Sequence, residues 1–306
     1  MRINSIKYYS ILGFISLAML VTSCSDEINV SLPSSEPKIV FYGSITTDTV
    51  AHKIVITQTS DYFSNQPTQT ISGATLTITD GTDTFPLTES STEPGTYYTQ
   101  PNVYGELGKT YTLNAANVAI VGETEAKTYT ASCTIPDLPA DYQETFLDSI
   151  NVLYNDNWEG WYVNGWAHEP ADQKNFYMFK VYINDVLYSD SLNNIGLADD
   201  KMINGNSTNG AALYFIEDED TLKPGYKVTL ELCAISEDYY HFMDEIQTSS
   251  QPQIPLFSPP PANARTNIDN GAIGYFSAYA IVRSSYIVKQ SDIDIKNGLT
   301  KKKSGS

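Results

Sequence analysis

The sequence predicts a mainly β protein: an N-terminal immunoglobulin-like β-sandwich followed by a second β-sandwich-like domain with one short helix. Three observations carry this. From Lys38 onward, short runs alternate apolar and polar residues with period two. Gly, Pro, Asn and Asp punctuate those runs roughly every 8–15 residues. Helical spacing surfaces only once, near residue 240. Hydrophobic residues make up 41% of the 306, enough for real cores, and charged residues only 18%, too few for a coiled coil or an acidic disordered chain.

In order, Ile39–Ile45 and Lys53–Thr57 read as strands. Ala74–Thr79 alternates and ends in the turn dipeptide Asp80-Gly81. Phe85–Leu87, Pro94–Tyr98, Gly108–Ala115 and Lys127–Ile135 complete the first sandwich. Pro136-Asp137-Leu138-Pro139 breaks the ladder. Beyond it, Asp148–Tyr154, Gly160–His168, Asn175–Ser189, Ala211–Glu217 and Tyr226–Ser236 read as strands, with Asn184-Asp185 able to turn the third into a hairpin. Ser236 suits an N-cap, with Glu237 and Asp238 in the first turn. Tyr239, Phe242, Met243 and Ile246 share one face of a helix over 237–247, with Glu245 on the other side. Pro252–Pro261 must be extended loop, and Gly274–Val288 is the last strand. The expected divisions are residues 38–136 for the first sandwich, 140–290 for the β-rich C-terminal domain and 291–306 for a flexible basic tail ending in Lys301-Lys302-Lys303.

The N-terminus reads as an address. Arg2 and Lys7 precede an eleven-residue apolar run, Ile11–Val21. At about 1.5 Å per residue it is too short for a hydrocarbon core of about 30 Å. A positive segment before a short apolar one is a secretory signal. The run closes in Val21-Thr22-Ser23-Cys24, which resembles a bacterial lipobox, so residues 1–23 are expected to be a lipoprotein signal peptide and Cys24 the lipidated residue. Residues 24–37 then form an acidic and polar tether. Ser25-Asp26-Glu27 resembles the acidic signal that exports Bacteroidota lipoproteins to the cell surface. No other segment is apolar enough to span a membrane, so the membrane is met through the lipid alone.

Acidic residues outnumber basic ones 36 to 18, a net charge of −18. A nucleic-acid binder needs a basic face, so that class is excluded. His52, His168 and His241 are scattered, so neither a zinc site nor any cofactor is expected. Glu217-Asp218-Glu219-Asp220 is contiguous rather than alternating, which suits a solvated loop better than calcium. No Gly-x-Ser-x-Gly and no phosphate loop occur. Cys133 and Cys233 remain after lipidation. An oxidising route would allow a bridge, but each sits in an alternating strand and two buried free thiols are expected.

The three Trp, Trp158, Trp161 and Trp166, cluster with Tyr162 as a candidate ligand platform. Aromatic faces stack on sugars or flat ligands, yet strand alternation sends Trp161 and Trp166 to opposite faces, so at least one belongs to the core. Four tripeptides of Asp, hydroxyl residue and aliphatic residue exceed the single one that composition predicts. They resemble O-glycosylation acceptors, with Thr49, Ser149, Ser191 and Thr221 as the hydroxyl residues.

Ordered landmarks carry a resemblance over residues 24–288: Val40–Ile45, Ser72–Ile78, Pro94–Tyr97, Gly105–Tyr111, Pro255–Pro259, Thr266–Ile268 and Gly271–Tyr279. Together they resemble the Bacteroidota lipoprotein family called domain of unknown function 4249. The resemblance implies an accessory protein of TonB-dependent outer-membrane transporters, by analogy alone. The expectation is a non-catalytic binding component on the outer membrane, exposed at the cell surface. The rival is an adhesion or envelope-structural lipoprotein without a small ligand. A weaker alternative is a glycoside hydrolase with a carboxylate pair that the sequence does not single out.

Overall fold

A computed structural model describes residues 36–60, 67–171, 173–201, 203–217, 221–250 and 264–296. The lipobox, the Ser25–Glu27 trio, the Pro252–Pro261 stretch and the terminal lysines lie outside the described residues. Within them the protein is mainly β. The first half supplies β1 (Ile39–Thr46), β2 (Lys53–Gln58), β3 (Thr75–Thr79), β4 (Thr84–Glu89), β5 (Thr96–Tyr98), β6 (Thr110–Val118) and β7 (Lys127–Thr134). Alternation sets their inner faces: Ile39, Phe41 and Ile45 on β1, Ile54 and Ile56 on β2, and Leu76 and Ile78 on β3 are all buried. The β3–β4 turn is locked by Asp80, whose carboxylate accepts the Thr82 and Asp83 backbone N–H groups at 3.0 and 2.7 Å and the Lys109 ammonium at 2.9 Å.

The second half supplies α1 (Tyr142–Thr145), β8 (Ser149–Asn155), β9 (Gly160–Trp166), β10 (Phe176–Ile183), β11 (Val186–Leu187), β12 (Gly196–Asp199), β13 (Ala211–Ile216), β14 (Lys227–Ile235), α2 (Glu237–Ser250), β15 (Ile273–Ile287) and α3 (Gln290–Lys296). Asn184 and Asp185 turn β10 into β11 with φ of 51° and 64°, the left-handed pair that a two-residue hairpin requires. Ser236 caps α2, its hydroxyl accepting the Tyr239 N–H at 3.3 Å. Tyr239 and Phe242 lay their rings on Tyr275 of β15, with centroids 5.2 and 5.0 Å apart.

Three expectations are corrected here. The single short helix is one of three α-helices among the described residues: α2 runs three residues past 247, and α1 is added before β8. Residues 291–296 of the tail expected to be flexible belong to helix α3. Glu245 does not stand free on the outer side of α2, because it accepts the Arg265 backbone N–H at 2.7 Å and the guanidinium at 2.8 and 3.0 Å.

The chain does not divide at Pro136–Pro139, since the described residues from Pro37 on form one compact unit. The cause is β15. Its first half, Ile273–Tyr279, pairs in parallel with β1, and its second half, Ala280–Ile287, pairs antiparallel with β14. One sheet therefore runs β11-β10-β14-β15-β1-β2-β5-β4-β3-β6-β7, with β12 beside β10. The path folds over so that the Tyr129 ring of β7 packs on Phe41 of β1 at 5.4 Å, and Thr130 donates its N–H to Asp269 at 2.7 Å.

Across β10, β14 and β15, Lys180, Glu231 and Arg283 stand side by side in register. Glu231 is buried, and its carboxylate accepts from Lys180 at 3.2 Å and from the Arg283 Nε at 2.9 Å. Arg283 reaches on to both oxygens of Asp48 in the β1–β2 loop, at 3.0 and 2.6 Å. A buried carboxylate is tolerable only when paired in this way. A second, three-stranded sheet, in the order β13-β9-β8, is the setting of the candidate site.

Candidate functional site

The β8–β9 hairpin carries all three tryptophans. Its tip is an Asx turn in which the Asn155 side chain accepts the N–H groups of Asn157 and Trp158 at 3.0 and 3.1 Å. That turn holds Trp158 out in solvent, 69% exposed. Beyond it the strand alternates. Trp161 is fully buried, 0% exposed, against Tyr154 at 5.2 Å. Trp166, five positions on, lies on the opposite face and is 38% exposed. The Trp161 of the expected platform is thus core, and Trp158 stands at the tip rather than on the platform.

Tyr162 and Trp166 do share a face, and register brings others to it. Leu153 of β8 pairs with Tyr162 of β9, which pairs with Phe215 of β13. Leu153 is 47% exposed, and the Tyr162 and Phe215 rings meet at 5.2 Å and 54°. Two residues along the strands, Asn151 faces Asn164, and one amide donates to the other at 3.1 Å. Two further along, Ser149 pairs with Trp166. The Trp166 ring lies against Gly210, where φ is +79° and a Cβ would stand 2.7 Å from the ring. Any larger residue there would push the indole aside.

The result is an outward face of three rows: Leu153–Tyr162–Phe215, then Asn151–Asn164, then Ser149–Trp166. Its inner side, Ile150, Val152, Trp161, Val163, Tyr214 and Ile216, is core. No side chain in these rows is charged at neutral pH, although exposed Asp148, Asp156, Glu159 and Glu217 stand at the ends of the strands. The sequence reading missed Asn151, Leu153, Asn164 and Phe215. Their parity along β8, β9 and β13 was visible, but the register that lines them up was not.

The other candidates are placed separately. Thr49 and Ser191 are exposed outside the strands, whereas Ser149 begins β8 and is half-buried, like Thr221. Cys133 and Cys233 are free and buried, as expected, and burial pushes both thiols up. Residues 218–220 of the acidic run lie outside the described residues. His52 is buried with a ring nitrogen 3.2 Å from the Val103 carbonyl oxygen, and burial lowers its proton affinity.

One buried carboxyl stands apart. Glu169 accepts from Asn175 at 2.7 Å and from the Tyr177 hydroxyl. Burial pushes it above the usual carboxylate range, and these two hydrogen bonds only partly offset that. It lines a cavity of about 20 Å³ with His168 and Phe146. That volume holds one water, not a sugar ring.

Among the described residues no helix is long and apolar enough to cross a membrane. The family model described as "Domain of unknown function (DUF4249)" matches residues 25–285. No curated protein matches the chain.

Proposed function

The chain belongs to the DUF4249 family, and from that premise we propose that it is a lipid-anchored outer-membrane protein, exposed at the cell surface, that binds rather than catalyses. Cys24 carries the lipid, Ser25-Asp26-Glu27 directs export, and the folded part works beside a TonB-dependent transporter in nutrient uptake. The observation that carries the binding reading is the outward face of the β13-β9-β8 sheet. Leu153 is exposed, with Tyr162 and Phe215 half-buried beside it, so this row turns apolar surface outward on strands and offers a place for contact. Strands hold such a surface more exactly than loops do.

The test has two arms. Cys24→Ala should remove the protein from carbonate-washed outer membranes, and persistence there would overturn the anchor. Pull-down of the lipidated protein from detergent-solubilised outer membranes should recover a TonB-dependent transporter. Recovery of envelope-structural proteins alone would instead favour the adhesion or structural reading.

A further inference from the structure

We propose that the outward face of the β13-β9-β8 sheet binds a neutral glycan chain. This rests on the binding reading above and names its ligand class. The first observation is chemical pairing within the face. Sugar rings present apolar C–H faces and a rim of hydroxyls. The face offers the two complements in adjacent rows: the Leu153–Tyr162–Phe215 surface, and the paired amides of Asn151 and Asn164. That pair spends one donor and one acceptor on itself, which leaves an NH2 group on one side and a carbonyl oxygen on the other. A hydroxyl can accept from the first and donate to the second. Trp166 closes the far row, its ring fixed against Gly210.

The second observation is charge. The rows are uncharged in a chain of net charge −18, and the acids at the strand ends repel anions. A neutral ligand is the one that this arrangement does not penalise. The third is size. From Ser149 to Leu153 the face runs about 13 Å along the strands, and about 10 Å across three of them. That footprint, on the order of 130 Å², falls far short of the ~800 Å² per partner of a stable protein interface. It accommodates a short run of sugar rings. The alternation of apolar and hydrogen-bonding rows also lets successive rings of one chain use different rows.

The test uses the full-length protein in detergent. Its probes are neutral hexasaccharides of α- and β-linked glucose, xylose and mannose, with hexagalacturonate as the anionic counterpart. Binding is read by calorimetry and by tryptophan emission. At least one neutral hexasaccharide should bind at millimolar concentration or below and shift the emission, with hexagalacturonate about tenfold weaker or more. Tyr162→Ala and Asn164→Ala should each weaken binding about tenfold or more with the thermal transition retained. Trp166→Phe should abolish most of the emission change. Leu153→Asp, at an exposed position, is a further variant that keeps the fold and should weaken binding. If no neutral hexasaccharide binds, or if binding survives these variants unchanged, the proposal is overturned. Recovery of a transporter with no sugar binding would leave the binding reading standing and overturn the glycan proposal alone. Sugar binding without a transporter would do the reverse.

Discussion

Gly274 is the residue on which the joining of the two halves turns. It stands at the start of β15 opposite Phe41 of β1, with φ of +92°. A Cβ at this position would lie 2.0 Å from the Phe41 carbonyl oxygen and 2.9 Å from its carbonyl carbon, where ordinary contact begins at 3.4 Å. The atoms in the way are backbone, so no side chain can swing aside. In Gly274→Ala, β1 must retreat by the difference between 3.4 and 2.0 Å, or 1.4 Å, and hydrogen bonds of ordinary length do not survive that. The left-handed backbone costs about 1–2 kcal/mol for a residue with a Cβ. Two ladder bonds lost at about 1 kcal/mol each bring the total to about 3–4 kcal/mol. Gly271→Ala is the control, because Gly271 has φ of +79° with nothing within 4 Å of a Cβ. It should lose only the backbone cost, about 1–2 kcal/mol. Urea unfolding of the two variants at unchanged m reads the difference. The transition should stay single, because β15 belongs to both halves. Equal losses for the two variants, or a transition that splits in two, would refute the reasoning.

Phe242→Ala should cost about 3–5 kcal/mol in the same assay, since its ring fills the space between α2 and Tyr275. Asp244→Ala, exposed on the other side of α2, should stay within about 0.5 kcal/mol. The backbone N–H of Asp83, then Lys109, lower Asp80 from 3.8 to about 2. A lowered carboxyl stabilises fully above its unfolded value, and that stabilisation is lost as pH falls from about 4 toward 2. Asp80→Asn should therefore lower stability at pH 7 and flatten the profile between pH 4 and 2. Glu169 is raised by burial, so its sign is opposite. The fold is favoured while Glu169 keeps its proton and loses that advantage as pH rises through the raised value. Thermal melts of Glu169→Gln should show a larger gain over the parent at pH 8 than at pH 5, and a gain independent of pH would refute the burial argument.

Local features of the fold were legible because each is written in a few adjacent residues. Asn184-Asp185 tolerates the left-handed backbone, and Ser236 reaches the helix N–H groups three residues on. The opposite fates of Trp161 and Trp166 follow from their odd spacing alone. Period two tells a strand which face is inward but names no partner. The parallel pairing of Val40 with Ile273 spans most of the chain, so two halves that each alternate correctly look like separate domains until that pairing joins them. Gly196–Asp199 is too short to show a period, and Gln290–Lys296 sits among lysines and serines that look like a frayed end. The candidate site fell between these cases. Tyr162 and Trp166 stood out by composition. Leu153 and Asn151 look like ordinary strand residues until register sets them beside aromatic and amide partners.

The pairing of β1 with β15 also has a kinetic meaning. Among the described strands β1 finds its parallel partner in the last, β15, and closing a loop of that length is slow. Until residues 273–287 arrive, β1 has β2 on one side and an open edge on the other. The sheet therefore cannot close until β15 has been made. For a protein proposed to be exported, a closure that waits for β15 keeps the earlier part of the sheet open in transit. The same delay leaves an unpaired edge exposed, an aggregation hazard that falls to chaperones on the export route.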